Sequence, residues 1–271
     1  MNKEEYFDNI KQYKLLAKHE VGQNVLIDYD VCQRIVEALD ITENDNILEI
    51  GCGAGSLSYF LNESGAKCDL IDIDEALVTK VSNDFSSNKN VIVSQTNALK
   101  HDLSGYSKII GNLPYYITSR LLEDSVCKTN SCQKAVFMIQ KEVYSRLIAK
   151  PGTKEYSPLS IALNYRGVLK KEFIVPRTSF APAPHIESLV FSITYKEDRS
   201  AQTAKELYDL TSKLFLFRRK TIYNNLNKMI KNGELASSLL EEAGIKENTR
   251  PEQITIDEYV TLLNVIKSRG L

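Results

Sequence analysis

Five short β-rich runs punctuate the first half of the chain: Asn46-Ile-Leu-Glu-Ile50, Lys67-Cys-Asp-Leu-Ile-Asp72, Asn90-Val-Ile-Val-Ser94, Lys108-Ile-Ile-Gly-Asn112 and Ala135-Val-Phe-Met-Ile139. Stretches of helical spacing separate them. Strands that alternate with helices are joined by crossovers, so the expected fold is α/β, a parallel sheet covered by helices on both faces. Two further runs, Lys171 to Val175 and Ser188 to Tyr195, lie close together and are expected to close the sheet with an antiparallel edge. After Tyr195 the periodicity is helical only, with candidates at Thr203 to Phe217, Thr221 to Lys231, Leu235 to Ala243 and Ile256 to Lys267. The polar stretch Lys196-Glu-Asp-Arg-Ser200 is the best linker, which divides the chain into an α/β domain, 1–195, and a small all-helical domain, 196–271.

Composition narrows the class. No stretch approaches 18 uncharged apolar residues, and Lys3, Glu4, Glu5 and Asp8 stand where a signal peptide needs an apolar run. A cytoplasmic protein with no membrane contact is expected. The five cysteines, Cys32, Cys52, Cys68, Cys127 and Cys132, share no metal-ligand spacing; they read as reduced thiols, and no metal site is expected. His19, His101 and His185 read as surface or satisfied side chains. A net charge of -1 hides an asymmetry: residues 1–110 carry 10 basic and 18 acidic side chains (-8), residues 111–271 carry 24 and 17 (+7). Any nucleic-acid face therefore belongs to the second half. Its densest basic cluster, Arg218-Arg-Lys220, would fan around a helix, so at most two of the three can meet phosphates together.

The first of the five runs ends in Glu49-Ile-Gly51-Cys-Gly53-Ala-Gly55-Ser56. Glycines there permit a tight strand-to-helix turn and a close backbone approach to a ligand. The dinucleotide fingerprint requires glycine at position 56, where this chain has Ser56, which argues against a nicotinamide or flavin. The second run closes with Asp72, 21 residues beyond Gly51, where a carboxylate can accept from both ribose hydroxyls. A glycine turn plus this acid, without a phosphate cradle, suits S-adenosylmethionine.

The fourth run ends in Asn112-Leu-Pro-Tyr115. At the carboxyl edge of a parallel sheet this tetrapeptide offers an amide, a carbonyl that cannot be drawn into a regular turn, and an aromatic plane. Those groups match an exocyclic amine on a planar base: acceptors hold its two N–H bonds while a ring stacks on the base.

These residues resemble the adenine N6-dimethyltransferases of ribosomal RNA, in the branch that modifies two adjacent adenosines near the 3′ end of the small-subunit RNA. The resemblance runs from His19 to about Leu263 and includes Gly22-Gln-Asn-Val-Leu26, Glu49-Ile-Gly-Cys-Gly53, Asn112-Leu-Pro-Tyr115, Gln140-Lys-Glu-Val143, Phe180-Ala-Pro-Ala-Pro184 with Ser188, Phe217-Arg-Arg-Lys-Thr221 with Asn224-Asn-Leu226, and Arg250-Pro-Glu252. It implies a Rossmann-like class I S-adenosylmethionine-dependent methyltransferase fold with a helical RNA-binding domain. It also implies that Asn24 and Leu26 contact the cofactor, that Gly51 and Gly53 pass under its methionine part, that Asp72 holds the ribose and that Asn97 meets the adenine edge. Asn112 would sit between cofactor and target amine, with the Pro114 carbonyl as second acceptor and Tyr115 and Phe180 sandwiching the base. The chain departs from the family at Val25, where an aromatic is usual, and at Asn97, where Asp is usual.

The implied partners are ribosomal RNA and the small ribosomal subunit, with no DNA, for a monomeric enzyme. Two other readings stay open on sequence: a large-subunit methyltransferase of the macrolide-resistance type, and an assembly factor on the same fold. Phe217-Arg-Arg-Lys-Thr221 and Gln140-Lys-Glu-Val143 favour the small-subunit branch, and intact Asn112, Pro114 and Tyr115 argue against lost activity.

Overall fold

The computed structural model describes residues 3–12 and 25–271. They form two compact units, Met1–Tyr144 with Val168–Lys196, and Ser145–Gly167 with Glu197–Leu271.

The first unit opens with α1 (Lys3–Gln12), β1 (Val25–Leu26) and α2 (Tyr29–Glu37), then alternates β2 (Asn46–Ile50), α3 (Ser58–Glu63), β3 (Lys67–Asp72), α4 (Glu75–Asp84), β4 (Val91–Gln95), β5 (Lys108–Asn112), α5 (Thr118–Cys127) and β6 (Lys134–Gln140). After α6 (Lys141–Leu147) and α7 (Pro158–Arg166) come β7 (Gly167–Val175), β8 (Phe180–Ala181) and β9 (Ser188–Tyr195). Seven strands form one sheet in the order β4-β3-β2-β5-β6-β9-β7, parallel from β4 to β6, with β9 antiparallel to β6. The central strands β2, β5 and β6 are buried almost end to end, as strands covered on both faces must be. β4, at the edge, leaves Ile92 59% exposed. Asp28 and Asp74 cap α2 and α4 by accepting from Val31 and Ala76 backbone N–H groups, which starts each helix directly after its loop. Because β2 pairs with β3 on one side and β5 on the other, the order in which strands are added to the sheet reverses there while the strands stay parallel, and a crevice opens at the carboxyl ends of β2 and β5.

Ile10 of α1 is buried in this unit's core beside Tyr6 and Phe7, whereas His19 lies outside the described residues.

The second unit joins α7 to α8 (Ala201–Leu214), α9 (Ile222–Ile230), α10 (Gly233–Glu242) and α11 (Ile256–Ser268). Here the expected domains need correction. The chain does divide close to residue 196, but 145–167 belongs with the helices rather than with the sheet domain expected at 1–195. The reason is burial: Tyr156, Ile161 and Tyr165 share one apolar core with Leu207, Leu214, Leu239 and Tyr259. A second correction concerns Arg218-Arg-Lys220. α8 stops at Leu214 instead of Phe217, and Thr221 caps the next helix by accepting from Asn224 N–H, so the three cations lie on a turn between helices.

Candidate active site

At the end of β2 the chain turns through Gly51 and Gly53, with φ of 75° and 53°. Side chains other than glycine rarely adopt these left-handed angles. The Ile71 carbonyl accepts from both Gly51 and Cys52 N–H, pinning the turn to the end of β3. On the other flank, a Cβ on Gly111 would fall 2.6 Å from the Ile50 carbonyl oxygen, so only glycine lets β5 approach and carry Asn112 to the crevice. A cavity of about 360 Å³ opens between these turns, lined by Leu26, Gly51, Gly53, Asp72, Asn97, Asn112, Pro114, Tyr115 and Phe180 among others. Every candidate site residue is therefore brought to one cavity except Asn24, which lies outside the described residues.

The β3 side is tied down by backbone donors. Asp72, almost buried, accepts from Gly53 N–H at 2.9 Å and from Asp74 N–H at 3.0 Å, one on each carboxylate oxygen. The second lone pair of each oxygen remains for ligand hydroxyls. The Asn97 oxygen already accepts from Leu99 N–H at 3.0 Å, which leaves the amide one lone pair and its own N–H bonds for an adenine edge. Ser56, the departure from the dinucleotide pattern, donates to the Leu26 carbonyl at 2.5 Å and so anchors β1. β1 pairs antiparallel with β8, placing Leu26 opposite Phe180.

The β5 side is different. Among the described residues the Asn112 side chain makes no hydrogen bond, although it is half-buried. The Pro114 carbonyl accepts from Ile117 N–H at 3.2 Å and from Thr118 Oγ1 at 2.9 Å. This corrects the expectation that Pro114 offers a free acceptor: the residues before α5 close a turn on it and occupy both lone pairs. The Leu113 carbonyl, one residue earlier, accepts no hydrogen bond among the described residues, and Leu113 is among the residues that line the cavity. Tyr115 is oriented by its hydroxyl, 3.3 Å from Ser188 Oγ.

Sequence reasoning gave no role to Glu49. It is 1% exposed, accepts from Ser58 Oγ at 2.6 Å and lines the same cavity. Burial pushes its carboxyl up to about 8, against the Ser58 hydrogen bond, which lowers it, and with a smaller push from the Asp72 charge. The available signal was an acid inside an otherwise apolar parallel strand. His101, for which the sequence suggested no partner, lies 3.0 Å from the Tyr106 hydroxyl, which in turn donates to Asp69.

The strand order, the glycine turn after β2 and the acid closing β3 define a class I S-adenosylmethionine-dependent methyltransferase, and the cradle fits that cofactor: backbone without Cβ atoms beneath it and spare acceptor capacity on Asp72. A dimethyladenosine transferase from Plasmodium falciparum superposes with a TM-score of 0.77 at 25% identity, covering 89% of this chain and 97% of that one. The 23S rRNA methyltransferase ErmE shares the fold, with a TM-score of 0.62 at 18% identity over 89% of this chain and 98% of that one. The sequence profile of the ribosomal RNA adenine dimethylase family matches residues 15–268. Proteins named ribosomal RNA small subunit methyltransferase A are similar throughout: that of Levilactobacillus brevis is 33% identical over 97% of this chain and 94% of its own length, that of Streptococcus gordonii 34% over 97% and 96%. The chain belongs to the ribosomal RNA adenine dimethylase family, and it is an S-adenosylmethionine-dependent ribosomal RNA adenine dimethyltransferase.

Proposed function

We propose that this enzyme dimethylates the N6 amines of two adjacent adenosines in the 3′-terminal hairpin of small-subunit ribosomal RNA, acting as a cytoplasmic monomer during ribosome assembly. The observation that carries the reading is a pair of acceptors at the end of β5 with no partner among the described residues, the Asn112 amide oxygen and the Leu113 carbonyl. An aromatic amine has two N–H bonds in the plane of its base, and two acceptors orient it so that its nitrogen faces the cofactor side of the cavity.

S-adenosylmethionine, when bound, supplies a methyl group already activated on a sulfonium. The chain's own contribution is alignment, worth roughly 7 to 11 kcal/mol when the approach is well oriented. Gly51 and Gly53 leave room for the methionine part, Asp72 takes the ribose, and Asn97 meets the adenine with its remaining lone pair or N–H. Tyr115, held at Ser188, stacks on one face of the target base and Phe180 covers the other. A stacked, paired adenine hides its amine, so the target enters as a single-stranded or extruded base.

The helical unit is assigned to the RNA backbone. Arg219 and Lys220 are exposed, whereas Arg218 is engaged within the unit, donating to the Lys154 carbonyl at 2.9 Å and lying 3.8 Å from Glu252. Unmethylated small subunits, free small-subunit RNA and large-subunit RNA offered in parallel test the whole reading. Dimethyladenosine at adjacent positions of the small-subunit RNA is expected; modification of large-subunit RNA alone would replace the reading with the macrolide-resistance type.

A further inference from the structure

Ten large apolar or aromatic side chains are more than a third exposed among the described residues, and two of them, Ile73 at 60% and Tyr116 at 69%, line the cavity. They stand on opposite sides of the switch point, Ile73 after β3 and Tyr116 after β5. Ile73 belongs to the side where Asp72 takes the ribose. Tyr116 belongs to the side that receives the target base, and nothing in the cofactor's binding accounts for it.

Its backbone is fixed. Ile117 N–H and Thr118 Oγ1 both donate to the Pro114 carbonyl, and Leu121 N–H donates to the Ile117 carbonyl, so the residue sits in a closed turn leading straight into α5. Its ring is unengaged: among the described residues Tyr116 makes no hydrogen bond and joins no ring pair, in contrast to Tyr115, whose hydroxyl is held by Ser188. An aromatic with open faces, carried on a hydrogen-bonded turn and next in sequence to the ring assigned to the target base, offers a stacking surface at the cavity mouth, where the nucleotide joined to the target must lie.

We propose that Tyr116 stacks on the base flanking the target, so that one adenosine of the adjacent pair is held outside while its neighbour occupies the cavity. This rests on the assignment of Tyr115 to the target base. It makes adjacency of the two adenosines something the enzyme reads through one side chain.

The test uses the full-length enzyme and small subunits reconstituted with RNA that carries either the natural adenosine pair or an abasic residue at one of the two positions, with methylation of the remaining adenosine followed by mass spectrometry. With natural RNA, Tyr116→Ala is expected to lower kcat/KM by about 5- to 150-fold, the range for removal of one base–aromatic stack, and Tyr116→Phe to keep it. With the abasic RNA, wild type and Tyr116→Ala should become equal. If Tyr116→Ala costs as much on abasic RNA as on natural RNA, or if Tyr116→Phe is as impaired as Tyr116→Ala, the proposal is overturned. Tyr115→Ala separates this from failure of the underlying assignment: it should impair methylation of both RNAs, and if it impairs neither, Tyr115 does not hold the target base.

Discussion

The two walls of the cavity solve opposite problems. On the β3 wall, polar groups are held by backbone donors before any ligand arrives: both Asp72 oxygens take a backbone N–H, and the Asn97 oxygen takes another. On the β5 wall, the Asn112 amide and the Leu113 carbonyl have no partner among the described residues. Under the proposed function the first arrangement would fix geometry for a small molecule that must return identically in every turnover. Under the same proposal the second leaves acceptors unsatisfied until a base enters, which would concentrate their interaction on the reacting amine. A substitution on the β3 wall should therefore cost affinity and structure, and one on the β5 wall should cost rate.

The largest effect is expected at Asn112. Asn112→Ala should lower single-turnover methylation by roughly 100-fold or more, the scale for removing one preorganised hydrogen bond, and leave RNA affinity near wild type. The second methylation sharpens the point, since a monomethylated amine has one N–H for two acceptors; the dimethyl fraction should fall further than total methyl transfer. Wild-type turnover with a normal dimethyl fraction would break the contrast between the walls.

Next comes Asp72→Ala. Loss of charge-assisted hydrogen bonds worth about 1.5 to 3 kcal/mol each should weaken cofactor binding at least about tenfold by calorimetry. Because Gly53 and Asp74 N–H also lose their acceptor, thermal stability should fall too. Unchanged cofactor affinity in a destabilised protein would reduce Asp72 to a loop anchor.

In the helical unit, Arg219→Ala with Lys220→Ala should reduce the salt slope of subunit binding by roughly 0.7 to 0.9 for each phosphate that is no longer neutralised. Arg218→Ala should instead lower the melting temperature, since its partners are Lys154 and Glu252. The reverse pattern would exchange the roles of Arg218 and its neighbours.

A smaller effect concerns pH. In the unfolded chain Glu49 ionises near 4.5, whereas the fold keeps its proton up to about 8. Between those values the native state binds the extra proton, so Glu49's contribution is present in full at low pH and is lost as pH rises through about 8. Glu49→Gln should flatten the fall in melting temperature across that window and gain on the wild type at its alkaline end. An unchanged slope would mean that Glu49 is ionised in the fold.

The smallest change is expected from Asn97→Asp. The cap on Leu99 N–H survives and a second oxygen is added, so cofactor affinity should stay level or rise slightly by calorimetry. A marked loss would show that the Asn97 N–H bonds, not its oxygen, meet the adenine.

Much of this molecule was legible in the chain itself. Continuous apolar runs such as Ala135 to Ile139 mark strands buried on both faces, and Gly51, Asp72 and Asn112 fall at strand ends, so topology delivers them to one crevice. Spacing determines such features because they depend on local backbone angles and on which face of an element is apolar. Tertiary structure decided which groups are left over. Pro114 and Leu113 carbonyls look equivalent in sequence until the start of α5 folds back on one of them, and Arg218, Arg219 and Lys220 are interchangeable until Lys154 and Glu252 arrive from elsewhere in the chain to claim the first. The same holds for 145–167, which reads as part of the sheet domain until Tyr156 and Ile161 find their apolar partners on helices beyond residue 200. Hydrogen-bond saturation and core membership are properties of groups that meet across long sequence separations, and no local pattern encodes which of two similar groups is met first.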